Sequence, residues 1–324
     1  MTSTERGSEW SRHRLQAVLR EISPRVGDVC EATPMTHGHA RECWLVRAGS
    51  RLIVVKLRRG PARPDRLWRQ LVATHLAARA GVPTPRILSW SPRSTVVGGS
   101  VLVTEYLSGT DGLDFVAGAR NAHLLPLMSS LGRLLRRLHT VVSDRYSELT
   151  ATPSGSRSWA HTVVSYLTQH EERLVRQGLV SEAWSRKVLA FAASAAAQVE
   201  SSAYPALVHR DLHLPNIVTR DGRAYGLLDF ESARLWDPVS DLVKLRRWVF
   251  RDPSQEAAFF AGYGGMAAVG GEASARYRLC VVVESVSLAG YWWSRHELDR
   301  ARTEIAVVND ILAGRQPDLT WAVA

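Results

Sequence analysis

Residues 209–231 read HRDLHLPNIVTRDGRAYGLLDFE. The stretch sets Asp211 five residues before Asn216, and Asp229 thirteen residues further on, beside Phe230 and Glu231. A carboxylate, an amide oxygen and a second carboxylate at this spacing are what metal-assisted phosphoryl transfer uses. One carboxylate orients an acceptor hydroxyl, while the amide and the other acid hold Mg²⁺ on nucleotide phosphates. Asp211 is therefore the expected base or aligning group. Asn216 and Asp229, hard oxygen donors suited to Mg²⁺, are the expected metal ligands. Asp229 follows the apolar GLL of a strand, which brings its carboxylate out at the strand's end. Asp211 alone would read as a cap on a turn or helix; the company of Asn216 and Asp229 decides against that.

Upstream, two β-branched and aromatic runs, RECWLVRAG and RLIVVKLRR, flank a short glycine-containing turn and predict a hairpin. A strand over RVGDVCEA and a short amphipathic helix in the first 22 residues precede them. Lys56 ends the apolar run LIVVK and is one of three lysines in the chain, so its charge needs a reason. Contact with the α- and β-phosphates supplies one; an edge lysine reaching to solvent is the alternative. PARPD breaks the pattern, and RLWRQLVATHLAARA then has helical periodicity closed by Gly81 and Pro83. VLVTEYL (101–107) reads as the hinge, with backbone groups of Glu105 and Leu107 toward an adenine edge and Val54 against its face. Gly38, in the loop before the second strand, permits one close approach of backbone to phosphate. From about residue 122 long helices take over. The fold class is α+β, with a strand-rich N-terminal lobe (1–107), a mostly helical C-terminal lobe (108–324) and a nucleotide cleft between them.

Composition narrows the rest. The chain has 324 residues, 45% hydrophobic and 22% charged, ordinary for a globular protein with a sizeable core. MTSTERGSEWSR carries no apolar signal core, and the apolar stretch 279–293 is short and holds Glu284, so neither secretion nor a membrane span is expected. Cys30, Cys43 and Cys280 fit neither a disulfide framework nor a zinc site, and the expected location is cytoplasmic. The net charge of +10 resides mostly in residues 1–82, with 15 basic and 7 acidic side chains, whereas 143–202 holds 6 of each. No nucleic-acid motif accompanies it, and no nucleic-acid partner is expected.

Together the hairpin ending in Lys56, GVPTPRIL, RLLRRLHT, HRDLHLPN and DFE…DPVSDL resemble the aminoglycoside phosphotransferase family, within the protein-kinase-like fold, over nearly the whole chain. Glu231 matches the family's third motif position, where protein kinases have glycine, and His213 matches its habit of histidine two residues after the catalytic acid. His213 can donate to the transferred phosphoryl group. Arg210 is nearer to protein kinases. The resemblance places Gln70 where a glutamate would pair with Lys56; Gln70 can hydrogen-bond the lysine without neutralising it. Asp241 is placed to brace the amides of the catalytic loop, and Asp237 to cap a helix.

The resemblance implies ATP-dependent phosphorylation of a small-molecule hydroxyl with Mg²⁺, GTP remaining an alternative donor, on an antibiotic or natural product. Because 143–202 is charge-balanced, a neutral or anionic acceptor fits at least as well as a polycation. The basic N-terminal lobe and Arg210 motivate a second reading, phosphorylation of Ser or Thr in a ribosomally made precursor peptide. Gln70 and the single glycine of the loop motivate a third, a pseudokinase binding module, against which Asp211, Asn216, Asp229 and Lys56 weigh.

Overall fold

The computed structural model describes residues 13–22, 29–35, 42–60, 64–119, 121–151, 155–265 and 275–316. A helix, α1 (13–22), is followed by three strands, β1 (Val29–Pro34), β2 (Glu42–Ala48) and β3 (Arg51–Arg59). Helix α2 (Pro64–Arg79) and strands β4 (Ile87–Ser94) and β5 (Gly99–Glu105) complete the first half. The five strands form one antiparallel sheet in the order β1-β2-β3-β5-β4. Alternation along β3 divides its side chains between two faces. Ile53, Val55 and Leu57 are buried in an apolar cluster with Leu15, Val18, Leu19 and Ile22 of α1. Val54, Lys56 and Arg58 take the opposite face. β3 is central in the sheet, so Lys56 is not an edge lysine. Gly49, at φ 59°, makes the two-residue turn between β2 and β3, a left-handed conformation that glycine adopts without strain.

Beyond β5, strand β6 (Thr110–Asp111) and helix α3 (Gly112–Gly118) lead to α4 (Asn121–Leu138). Two short strands, β7 (Tyr146–Ser147) and β8 (Gly155–Ser156), precede α5 (Trp159–Arg176) and α6 (Glu182–Val199). The motif region is built from β9 (Ala206–Val208), β10 (Ile217–Arg220), β11 (Arg223–Leu227) and β12 (Arg234–Trp236). Helices α7 (Val239–Trp248), α8 (Pro253–Tyr263), α9 (Ala275–Ser294) and α10 (Leu298–Leu312) follow. One large core joins these helices, with Trp159, Trp236, Leu131 and Phe259 buried inside it. The apolar stretch at 279–293 lies within α9, mostly buried, and its Glu284 is ion-paired. No described helix is long and apolar enough to cross a membrane. Cys30 is exposed, Cys43 half-buried and Cys280 buried.

Candidate active site

The loop after β9 is hung from one buried carboxylate. Asp241, in the first turn of α7, accepts the backbone N–H of His209 at Oδ2 (2.8 Å) and that of Arg210 at Oδ1 (2.7 Å). His139, buried at the end of α4, also donates to Oδ2 through Nε2 (3.1 Å), while its Nδ1 accepts the hydroxyl of Tyr263 (2.7 Å). Burial alone would raise the pKa of Asp241, but these donors hold it below the usual carboxylate value. Arg210 sits at φ 60° and Asp229 at φ 59°. Two non-glycine residues in this conformation carry strain that the surrounding bonds must hold, a habit of functional sites.

His209 joins the two motif segments. Its Nε2 donates to the carbonyl of Leu228 (2.7 Å), its Nδ1 accepts the amide of Asp211 (3.3 Å), and its ring packs on Phe230. Asn216 donates through Nδ2 to the carbonyl of Asp211 (2.8 Å) and to Nε2 of His213 (3.1 Å). Neither bond uses its oxygen, the atom that can ligate a hard cation. His213 lies 3.8 Å from Asp211, and burial lowers its pKa against the opposing pull of that carboxylate. Its Nε2 is an acceptor here, which leaves Nδ1–H as the donor.

Lys56 reaches Asp229 at 3.7 Å across the cleft. Gln70 lines the same small cavity as Lys56, but departs from the expected contact: its Nε2 donates to Thr74 (3.1 Å), one turn along α2, and its buried Oε1 has no partner. The cations of this region instead converge on Glu231. Arg58 lies 3.5 Å and Arg66 3.9 Å from its carboxylate, and Arg69 donates to its carbonyl. Val54 is buried on the face of β3 that carries Lys56. At the expected hinge the N–H of Glu105 donates to the carbonyl of Arg86 (2.8 Å) and its side chain pairs with Arg86, so its carbonyl is the backbone group that these contacts leave. Leu107 packs toward Gly226 on β11, where a Cβ would come within 2.7 Å of its Cδ2. Gly38 lies outside the described residues. Asp237 does more than cap: besides accepting the amide of Val239, it is buried against Arg276 at 2.7 Å.

The donor set fits Mg²⁺. Among the described residues no three His, Cys, Asp or Glu side chains cluster to hold a metal alone. Mg²⁺ on a nucleotide does not need them, since it keeps waters and takes one or two protein oxygens beside the phosphates.

Sequence reasoning missed His139, Tyr263 and a further group around the loop. Lys244 of α7 pairs with Glu284 of α9 at 2.5 Å, and Arg210 approaches the same carboxylate at 3.6 Å. The signals were present: Lys244 is one of three lysines, and Glu284 is the acid in an apolar helix.

A two-lobed layout with these residues on the cleft is the protein-kinase-like architecture. The model of the phosphotransferase enzyme family (APH) matches residues 31–279, and the chain belongs to that family. In fold it is similar to aminoglycoside phosphotransferase APH(4)-Ia, with a TM-score of 0.69 and 14% identity over 92% of this chain and 98% of that one. It is also similar to APH(2")-IIa in its streptomycin–ATP ternary complex, with a TM-score of 0.66 and 15% identity over 94% and 97% of the two chains. APH(2'')-Ib with ADP bound gives 0.62 and 15% over 95% and 99%. No curated protein matches the chain in sequence.

Proposed function

We propose that the protein transfers the γ-phosphoryl group of ATP to a hydroxyl of a small molecule, an antibiotic or natural product. The observation that supports it is the convergence of Asp211, Asn216 and Asp229 with Lys56 from the opposite half of the chain. In this reading Asp211 aligns the acceptor hydroxyl and takes its proton as the new O–P bond forms. The bond from phosphorus to the β,γ-bridging oxygen breaks, and its electron pair leaves with ADP. Lys56 binds nucleotide phosphates, and neutral His213 donates from Nδ1 to the transferred group. Asn216 Oδ1 and Asp229 would hold Mg²⁺, which when bound neutralises phosphate charge. Asp241 and His139 keep the loop's shape. The cytoplasm, with its ATP and Mg²⁺, is the proposed location. GTP is the alternative donor, and comparing turnover with the two nucleotides decides between them.

The acceptor is found by mass spectrometry, as an added phosphate across a panel of antibiotics with ATP and Mg²⁺. On that acceptor Asp211→Ala lowers kcat by at least about a hundredfold, the scale of general acid–base and alignment losses, with ATP affinity retained. An unchanged kcat would refute the assignment.

A further inference from the structure

The wall beside Asp211 carries more positive charge than its own carboxylates balance. Arg210 and Arg234 flank the same two rings: the guanidinium carbons lie 5.1 and 4.8 Å from the Tyr166 centroid and 5.2 and 5.6 Å from that of Trp236. Arg69 of α2 and Arg234 share Glu148, at 3.6 and 2.5 Å. Lys244 and Arg210 share Glu284. Arg173, exposed and one turn beyond His170 on α5, adds to the field at that histidine. Counting Asp211 itself, whose charge reaches Lys244, five cations thus face three carboxylates. Glu231, the next acid along, is already matched by Arg58 and Arg66.

Arg210 and Lys244 are buried and Arg234 nearly so, with side chains 5%, 9% and 11% exposed. Water does little there to screen the surplus. Its consequences appear in the neighbours. Burial, then Arg210, presses Arg234 down to about 10, and burial with Arg234 and Arg210 takes His170 to about 4. Lys244 stays charged, because Glu284 and then Asp211 outweigh its burial. That also places Lys244 within electrostatic reach of the catalytic acid. Nη1 of Arg210 is buried with no hydrogen-bond partner, as are Nε of Arg69 and Nε1 of Trp236, so the wall holds donors that lack an acceptor.

We propose that this wall anchors the acceptor, and that the alcohol phosphorylated carries an oxyanion, a carboxylate or phosphate, set against Arg210, Arg234 and Lys244 with its hydroxyl at Asp211. The inference rests on the phosphotransferase reading of the site. Planar guanidinium groups grip such oxyanions with paired hydrogen bonds, and an arriving anion supplies the charge the wall lacks. A polycation would meet like charge there. The segment 143–202 is balanced in composition, but most of the wall's cations come from outside it, from the catalytic loop, β12, α7 and α2.

The test titrates inorganic phosphate and acetate into the full chain saturated with AMP-PNP and Mg²⁺, by calorimetry. Nucleotide binding is measured first on the same sample. Its absence sinks the phosphotransferase reading, whereas nucleotide binding without anion binding sinks this inference alone. Saturable binding of either anion is expected, the tighter one identifying the group. Arg234→Gln and Lys244→Met should each weaken it about tenfold, the loss of one charge-assisted contact, with AMP-PNP affinity unchanged. Arg173→Gln, an exposed change that keeps the fold, should weaken it about twofold to threefold. Anion affinity unchanged in all three variants overturns the proposal, as does phosphorylation of streptomycin at a rate Arg234→Gln leaves intact.

Discussion

A single carboxyl shows how far burial alone can move a residue's chemistry. Glu171 of α5 is fully buried; Ser185 donates to its Oε2 at 2.6 Å, and Oε1 has no partner. Burial pushes its pKa up to about 7 from 4.5, against the smaller pull of that hydroxyl. Its folded value lies above its unfolded one, so the folded state holds the extra proton between the two. This carboxyl's contribution to stability is present below pH 4.5 and is lost as pH rises toward 7. The adjacent His170 works the other way. With a folded value of about 4 against 6.5 unfolded, it lowers stability as pH falls through that window. The two slopes oppose each other in wild type. Glu171→Gln removes one of them, so its urea midpoint should climb from pH 4.5 to 6.5 and exceed that of wild type by pH 8. Parallel curves for the two proteins would count against a buried, titrating Glu171.

Helices α4 and α8 cross with their backbones in contact. A Cβ built on Gly132 would lie 2.1 Å from the carbonyl oxygen of Phe259, and one on Gly262 would lie 1.9 Å from that of Ser129. Alanine normally strengthens a helix interior by about 1 kcal/mol over glycine. Here neither backbone can yield without parting the helices, and overpacking of this kind costs about 1–3 kcal/mol. Gly132→Ala should therefore destabilise by about 2 kcal/mol on denaturant unfolding. Gly290→Ala on α9, where the nearest neighbour is 3.7 Å away, should be neutral or stabilising. Loss of stability in both, or in neither, would remove the crossing as the cause. Elements of this molecule differ in how legible they are in sequence. The alternation of β3 announces one buried face and puts Val54, Lys56 and Arg58 on the other, because a strand's period is local. The crossing at Gly132 joins residues more than a hundred positions apart, and no local period encodes it. The same holds for Arg234 beside Arg210 and for Lys244 beside Glu284. Counting charge by segment missed the wall because most of its cations are contributed by elements outside the counted helices. The Asp211–Asn216–Asp229 set could be read because one loop and one hairpin carry all three.

Across the whole molecule, the sheet half and the catalytic half are joined by charge. Lys56 reaches Asp229, Arg58 and Arg66 reach Glu231, and Arg69 reaches both the Glu231 carbonyl and Glu148. An acid on α2 facing the strand lysine would be one way to register the helix against the phosphate site. This chain reverses the polarity: α2 supplies arginines, and the acid belongs to the segment after Asp229. Gln70 need not neutralise Lys56, because Asp229 faces the lysine and Glu231 fixes the helix. Glu231 is on this argument a positioning residue, acting through α2 rather than on substrate. Glu231→Gln should lower kcat/KM about tenfold, or about 1.4 kcal/mol of transition-state stabilisation, chiefly by raising KM for ATP. Amide exchange in α2 should quicken, a change that loss of a substrate contact would not cause. Gln70→Ala should cost less than about threefold, since a neutral side chain bonded within its own helix contributes little to the cleft. These pairs are part-exposed, so added salt should slow wild type more than Glu231→Gln. If Gln70→Ala proves the more damaging change, or exchange in α2 is unmoved by Glu231→Gln, the helix is registered through the lysine side of the cleft and not through Glu231.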